Sequence, residues 1–438
     1  MEHDVTEVVV RLIYQLAIIL LAAKVGGEVC FRYLKVPPVL GELVAGIIIG
    51  PFALGGLVLG DIGPLFPKPP GFSETAGGIP LSTELYSIAQ IAAVVLLFTA
   101  GLETNLRQFL RYAGPASLVA LGGVVLPFVF GVWATVLFGF ADGLADPKAL
   151  FMGAILTATS VGITARVLSD LRRLDSPEGV TVIAAAVVDD VLGVLILTVV
   201  VGMSASGSFS LSEVGIIGAK AVGFWLSLIV LGILLSKHIS RVFESFRVAG
   251  AGIALSLALA FLAAGLAESF GLAMIIGAYS IGLALSNTTL AERLEEPLTA
   301  VYHALVPIFF VAMGMLVDLS AVQGALVFGL VVTLLAVVSK VAGSGLPALG
   351  AGFNLLGASR VGVGMLPRGE VALIIAGIGL TRGVVDADLF GVSIMMTVVT
   401  TLVAPILLVP LFQRGGSGRR GGKVTATDNA RSGSEVDP

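Results

Sequence analysis

Two adjacent aspartates, Asp189 and Asp190, lie near the centre of the apolar run Val180–Val201. A run of about 20 apolar residues, rising ~1.5 Å each, spans the ~30 Å hydrocarbon core of a bilayer. A carboxylate at the middle of such a helix costs roughly 2.5–3.5 kcal/mol on insertion scales, so two of them mark function. The other deep charge is Lys340, alone in the run Gly324–Gly352. A buried lysine is as costly as a buried aspartate, and pairing the two offsets part of both penalties. Neighbours on a helix point ~100° apart, so Asp189 and Asp190 cannot share one small pocket. The economical arrangement sets one aspartate against Lys340 and the other on an ion path. Coupled ionisable groups of this kind can exchange protons for a cation. A Lys340 that snorkels from near a span end is the competing reading.

Two other segments interrupt apolar runs. "TATSVGIT", beginning at Thr157, carries hydroxyl and β-branched residues in a row, whose side chains compete for backbone hydrogen bonds. "LPRGEV" (Leu366–Val371) contains Pro367, which removes a backbone donor, and Gly369, which loosens the chain. Both are candidates for broken helices, whose ends offer partial charges of both signs to an ion. A continuous helix whose Thr and Ser hydroxyls bond their own carbonyls is the alternative.

These residues need a membrane-spanning frame, and the composition supplies it. Hydrophobic residues make up 57% of the chain and charged residues 12%, with a mean hydropathy of +1.04, which excludes an ordinary soluble domain. The net charge of −4 argues for no nucleic-acid partner, since the charges lie in connecting loops. The single cysteine, Cys30, excludes an internal disulfide and shows no metal pattern. The acidic start, "MEHDVTEVVVR", is not that of a cleavable signal peptide.

Apolar runs predict thirteen spans, at about 8–24, 36–59, 85–102, 113–140, 149–168, 180–201, 213–235, 248–267, 270–286, 298–317, 322–342, 361–380 and 387–412. The eighth and ninth are separated only by "AESF". Twelve Lys and Arg residues, from Lys24 and Arg32 to Arg293 and Arg360, fall in one set of loops; the alternate set carries Lys68, Lys148 and Arg382. That asymmetry predicts an N-terminus outside and a C-terminus in the cytoplasm of a cell (inner) membrane protein. The Gly- and Pro-rich loop 60–84 is then external. Residues 413–438 read as a polar, disordered cytoplasmic tail.

The chain also repeats itself. "FTAGLETNL" (Phe98–Leu106) closes the third span and "VAMGMLVDL" (Val311–Leu319) the tenth, aligning Gly101 with Gly314 across 213 residues. Seven spans separate them, an odd number, so the copies run in opposite directions, as in the inverted repeats of secondary transporters. The same offset carries Thr157–Ser160 to the neighbourhood of Glu370. The expected architecture is an all-α polytopic membrane protein: a transmembrane domain over residues 1–412, with inverted repeats at roughly 36–201 and 248–412 and a broken helix in each.

The segments "PPVLGELVAGIIIGP", "LLFTAGLE", "TATSVGITARVL", "VVDDVLGV", "PIFFVAMGM" and "PRGEVALI", in this order, resemble the monovalent cation/proton antiporter-2 family, in particular its sodium/proton antiporter branch. The resemblance covers about residues 10–412. It implies a 13-helix fold with a core and a dimerisation domain, assembly as a homodimer in the lipid bilayer, and elevator-like alternating access. It implies Na+ and H+ as cargo and no bound cofactor. By the matching motifs, Asp190 is the main Na+-binding carboxylate, and Asp189 pairs with Lys340. Thr159 and Ser160 belong to the first unwound crossing, and Arg368 and Glu370 form a structural charged pair at the second. Glutathione-gated potassium antiporters differ at the first aspartate position and carry a nucleotide-binding regulatory domain. Here both aspartates are present and no GxGxxG follows a strand, which favours electrogenic Na+ (or Li+) exchange. Counted by charge, two H+ leave for each Na+, either from both aspartates or with Lys340 as the second proton carrier. A K+/H+ antiporter shares nearly every feature. A sodium-coupled organic-anion symporter shares the broken helices but has no evident need of Lys340. An intramembrane aspartyl protease needs a face-to-face dyad that neighbours on one helix cannot form.

Overall fold

The structure, a computed structural model, describes residues 2–34, 37–57, 63–69, 79–206, 211–318 and 325–420. These form fifteen α-helices and no strand. In chain order, α1 (Glu2–Val29) passes through a π-helical turn (Cys30–Leu34) to α2 (Pro38–Ile49), and α3 (Thr83–Glu103) leads to α4 (Leu106–Leu137). The fifth crossing is two half-helices, α5 (Pro147–Thr157) and α6 (Val161–Asp170). Then come α7 (Pro177–Ser206), α8 (Leu211–Glu244), α9 (Ala251–Ser269), α10 (Met274–Leu285), α11 (Thr289–Met315) and α12 (Leu326–Gly350). A second split crossing, α13 (Leu355–Gly364) and α14 (Glu370–Thr381), precedes α15 (Ala387–Gln413). Eleven spans are long and apolar enough to cross a bilayer, counting α5 and α6 as one; Met274–Leu285 and Val371–Leu380 are shorter apolar helices. Together they account for the thirteen passes read from the sequence.

Several helices outrun their apolar stretches. α4 starts at Leu106 instead of near 113, α11 at Thr289 instead of 298, and α12 runs on to Gly350. At α4 and α11 the extra turns carry charged residues and are closed by side-chain caps, Asn105 accepting from the Gln108 N–H and Thr288 from the Ala291 N–H, whereas the extension of α12 is apolar and Gly-rich. Hydropathy ends where a helix leaves the hydrocarbon, not where its hydrogen bonding ends. The eighth and ninth passes are separate, divided by a turn with Gly271 at φ 78°.

The helices sort into two bundles. The core bundle holds α4, α5, α7, α12, α13, α14 and α15, and the scaffold holds α1, α2, α3, α9, α10 and α11. α6 lies at the boundary, bonded to the core through Ser160–Pro367 and Thr164–Gly364 while packing on α3 and α2, and α8 packs mainly on the scaffold and touches α7. Contacts are dense within each bundle and thin between them. The crossing Pro147–Asp170 is wholly buried, whereas α1, α8 and α9 bury only 17%, 22% and 28% of their apolar windows. The broken crossing is therefore central, and the poorly buried helices face lipid or another subunit.

The inverted repeat is visible as reciprocal packing. α3 packs on α10 where Gly101 meets Gly282, and α11 packs on α2 where Gly314 meets Gly46. A Cβ at Gly101 would lie 3.0 Å from the Gly282 Cα, and one at Gly314 would lie 3.0 Å from the Gly46 Cα. Only glycine permits both approaches.

One expectation fails at the C-terminus. The chain is not disordered from residue 413: residues 414–420 fold back as a strap over one end of the core bundle. Arg360 donates to the Gly415 carbonyl (2.7 Å) and the Gly416 carbonyl (3.1 Å), and its Nη1 reaches Glu178 Oε1 at 2.7 Å. Asn354 donates to the Ser417 carbonyl (2.7 Å) and, through its backbone N–H, to the Gly418 carbonyl (2.8 Å). Arg419 reaches the Tyr112 hydroxyl at 2.8 Å. Residues 421–438, Lys35, and residues 60–62 and 70–78 of the loop 60–84 lie outside the described residues.

Candidate ion site

The site forms where the two broken crossings meet. α5 ends at Thr157, and Ala158 (φ −54°, ψ 141°) and Ser160 (φ −88°, ψ 106°) are extended before α6 begins at Val161. Opposite them, Met365–Gly369 separates α13 from α14, with Pro367 supplying no N–H at the break. The two breaks satisfy each other's backbone. The Ser160 N–H donates to the Pro367 carbonyl at 2.8 Å, and the Thr164 hydroxyl donates to the Gly364 carbonyl at 2.8 Å. The Thr159 hydroxyl lies 3.5 Å from the Met365 carbonyl, and the Ser160 hydroxyl accepts from the Ile163 N–H as the N-cap of α6. Both interruptions are thus real, and the continuous-helix alternative for Thr157–Ser160 is ruled out.

A half-helix ending inside a membrane leaves carbonyls with no partners and a partial negative charge. Two fully buried cations meet that end of α5. Lys340 donates to the Thr157 carbonyl (2.6 Å) and the Gly123 carbonyl of α4 (2.8 Å). Arg368 donates to the Leu156 carbonyl (2.5 Å) and to the Leu366 carbonyl of its own break (3.3 Å). The Arg368 carbonyl in turn accepts from the Thr401 hydroxyl of α15.

The third donor of Lys340 goes to Asp189 Oδ1 at 2.9 Å. Asp189 is 3% exposed, and the Thr159 hydroxyl interacts with its carboxylate. The lysine ammonium has three donors and uses all of them, so Lys340 does not snorkel. Asp190, one residue on, faces a different direction and is half-buried. Asp189, Lys340, Thr159, Ser160 and Arg368 therefore gather at the crossing, and Asp190 is the next residue along α7. Glu370 opens α14, but its side chain falls outside the described residues. Among the described residues no group of three or more His, Cys, Asp and Glu side chains could hold a resident metal. A passing cation here would find carboxylate, hydroxyl and carbonyl oxygens, the ligands of a hard monovalent ion.

Sequence reading missed a second charged cluster, on the seam between the bundles. Arg166 of α6 pairs with Asp170 (3.1 Å) on its own helix and lies 3.7 Å from Glu42 of α2. Its guanidinium sits 5.1 Å from the centre of the Tyr302 ring of α11, and the neighbouring Ser169 hydroxyl donates to Glu103 of α3 at 3.4 Å. The signal was present: Glu42 is the one acidic residue in the run 36–59, and Arg166 and Asp170 stand four apart on one helix face.

A model of the sodium/hydrogen exchanger transmembrane region matches residues 17–414. The high-affinity Na(+)/H(+) antiporter NhaS3 of Synechocystis is 37% identical, covering 93% of this chain and 91% of its own length. The Na(+)/H(+)-K(+) antiporter GerN of Bacillus cereus is 33% identical, covering 90% and 95%. Among solved structures, the sodium proton antiporter MjNhaP1 from Methanocaldococcus jannaschii superposes with a TM-score of 0.66 at 19% identity, covering 97% of this chain and 98% of its own, a likeness of fold. The chain belongs to the sodium/hydrogen exchanger family, whose members are membrane transporters rather than enzymes.

Proposed function

We propose that the protein exchanges Na+ for H+ across a cell membrane, with Asp190 as the carboxylate that binds the cation and releases the proton. The observation that carries this reading is the Asp189–Lys340 pair, held at 2.9 Å against the crossing of two broken helices, with Asp190 next to it in the chain. Asp190 binds H+ or Na+ but not both. Entry of Na+ displaces the proton and draws oxygens from Asp189, Thr159 and the unwound carbonyls near Ser160. Asp189 can join the ion only by leaving Lys340, which then loses its counter-charge and gives up a proton. Two H+ move for one Na+, so the cycle is electrogenic, and each charge moved is worth ~2.3 kcal/mol per 100 mV of membrane potential. Arg368, bonded to backbone carbonyls on both breaks, is structural.

Alternating access follows if the core bundle moves as one body along the scaffold, which the thin contacts between them favour. Residues 1–412 form this transporter, with inverted repeats at roughly 36–201 and 248–412. The poorly buried α1, α8 and α9 leave apolar surface for a homodimer contact. The N-terminus is outside and the C-terminal strap cytoplasmic, as the loop charges require. One relative, GerN, is a Na(+)/H(+)-K(+) antiporter, so the cation must be tested. In everted vesicles with an imposed ΔpH, Na+ and Li+ should collapse the gradient at concentrations where K+ does not. Collapse by K+ alone would replace this reading with K+/H+ exchange.

A further inference from the structure

The seam cluster has no part in holding the ion, yet it buries charge where the two bundles touch. Glu42 and Arg166 are 2% and 4% exposed; Glu42 belongs to the scaffold and Arg166 to α6, the half-helix bonded to the core. Their approach of 3.7 Å is outside hydrogen-bonding distance. Glu42 Oε2, Arg166 Nη1 and the Tyr302 hydroxyl are buried without a hydrogen bond among the described residues. Lys24 and His303 border the same cluster. A guanidinium has five donors in a fixed fork. Here Asp170, on the same helix, takes Nε, and the scaffold receives a loose carboxylate contact at Glu42 and the ring and hydroxyl of Tyr302, close by but without a well-formed hydrogen bond. Other contacts along this seam are apolar: Gly162 lies against Phe309 and Leu96. Beside the second break, an apolar cleft lined by Leu43, Ile47, Met313 and Leu373, with Arg368 and Gly369 on its wall, lies between the bundles.

We propose that Arg166 is a latch: its contacts with Glu42 and Tyr302 stabilise the access state described here, and they must break at each stroke of the core bundle. This rests on the reading that the core bundle moves against the scaffold. Because Asp170 travels with Arg166, the arginine keeps one counter-charge through the movement, so the latch opens without leaving a bare buried cation. The polar contacts across the seam are therefore state-dependent, while those around Lys340 lie within one bundle and persist.

A ligand or contact that favours one of two states shifts their ratio by its differential free energy. Weakening the latch should therefore move the Na+ KM measured from the two sides in opposite directions. The experiment compares Glu42→Gln, Arg166→Gln and the charge-keeping Arg166→Lys protein in oriented proteoliposomes. Glu42→Gln or Arg166→Gln should raise the KM from one side and lower it from the other by about fivefold or more, the usual size of a coupling between states. Arg166→Lys, which keeps a cation between Glu42 and Asp170, should hold both KM values nearer wild type than Arg166→Gln does. Merely structural damage would change both KM values in the same direction. A second measurement does not depend on exchange: in a Cys30→Ala background, Ser169→Cys reports seam opening by its alkylation rate, which Glu42→Gln should raise severalfold. KM changes of the same sign on both sides, or an unchanged alkylation rate, would overturn the latch. If the wild-type protein moves no Na+, the exchange reading fails, and the alkylation rate alone decides the latch.

Discussion

Two buried cations, Lys340 and Arg166, sit in contrasting settings. Lys340 lies wholly inside the core bundle, and its three donors are taken at 2.6, 2.8 and 2.9 Å by α5, α4 and α7. Arg360, at the strap, is equally saturated, with acceptors on α7, α15 and the turns after it. Arg166, on the seam, meets its cross-bundle carboxylate only at 3.7 Å. Tight bonding is found where parts must move together, and loose bonding where they must slide. A buried charge with a full set of partners fixes geometry, whereas one with a partial set can be released at small cost.

That contrast can be broken most severely at Lys340. Replacing it with Gln leaves Asp189 buried without its cation, and removal of one partner of a buried pair costs about 3–5 kcal/mol. The variant should melt well below wild type, and any exchange that survives should no longer respond to voltage. The double change Asp189→Asn/Lys340→Gln should recover most of the melting temperature but not electrogenic transport. Equal stability of single and double variants would show that the pair is not the unit described here.

The crossing offers a sharper probe. Thr159 and Ser160 can be cut to Ala with mild effect on rate, because the unwound carbonyls remain; Leu at both positions should abolish exchange by filling the space between the breaks. Full activity with two leucines would place the ion elsewhere.

The strap should show a smaller, purely structural effect. Truncation after Gln413 deprives Arg360 of the Gly415 and Gly416 carbonyls, and each buried donor left unsatisfied costs roughly 1–3 kcal/mol. Truncation after Arg420 keeps them. The first protein should lose several degrees in melting temperature and the second none, and if both behave alike the strap is not a clamp. The smallest effect is expected at the seam, where Tyr302→Phe removes a hydroxyl and leaves the ring under Arg166. Because that buried hydroxyl has no hydrogen bond to lose, the variant should melt at or slightly above the wild-type temperature.

The same contrast explains what the sequence could reveal. Asp189, Asp190 and Lys340 stand out because each interrupts an apolar run, and Pro367 marks its break by removing an N–H. Gly101 and Gly314 announce the repeat because only glycine fits two helices packed backbone to backbone. Glu42, Arg166 and Asp170 were harder to see, since charges near span ends look like ordinary interfacial or loop residues, and their partners come from three separate helices. Residues 414–420 were misread for another reason. "RGGSGRR" has the composition of a disordered segment, but its order comes from carbonyls that any residue carries, captured by Arg360 and Asn354. Composition does not record which backbone oxygens a distant arginine requires.

The central claim is that Asp190 is the exchanging carboxylate, and Asp190→Asn tests it most directly. The amide can still coordinate a cation but cannot release a proton. Wild-type and variant proteins would be reconstituted at equal density in proteoliposomes with an acidic interior, and internal pH followed on addition of Na+. The account predicts rapid alkalinisation for wild type and none above the leak for Asp190→Asn, with both proteins melting at similar temperatures. Na+-driven proton movement at the wild-type rate in the variant would contradict it.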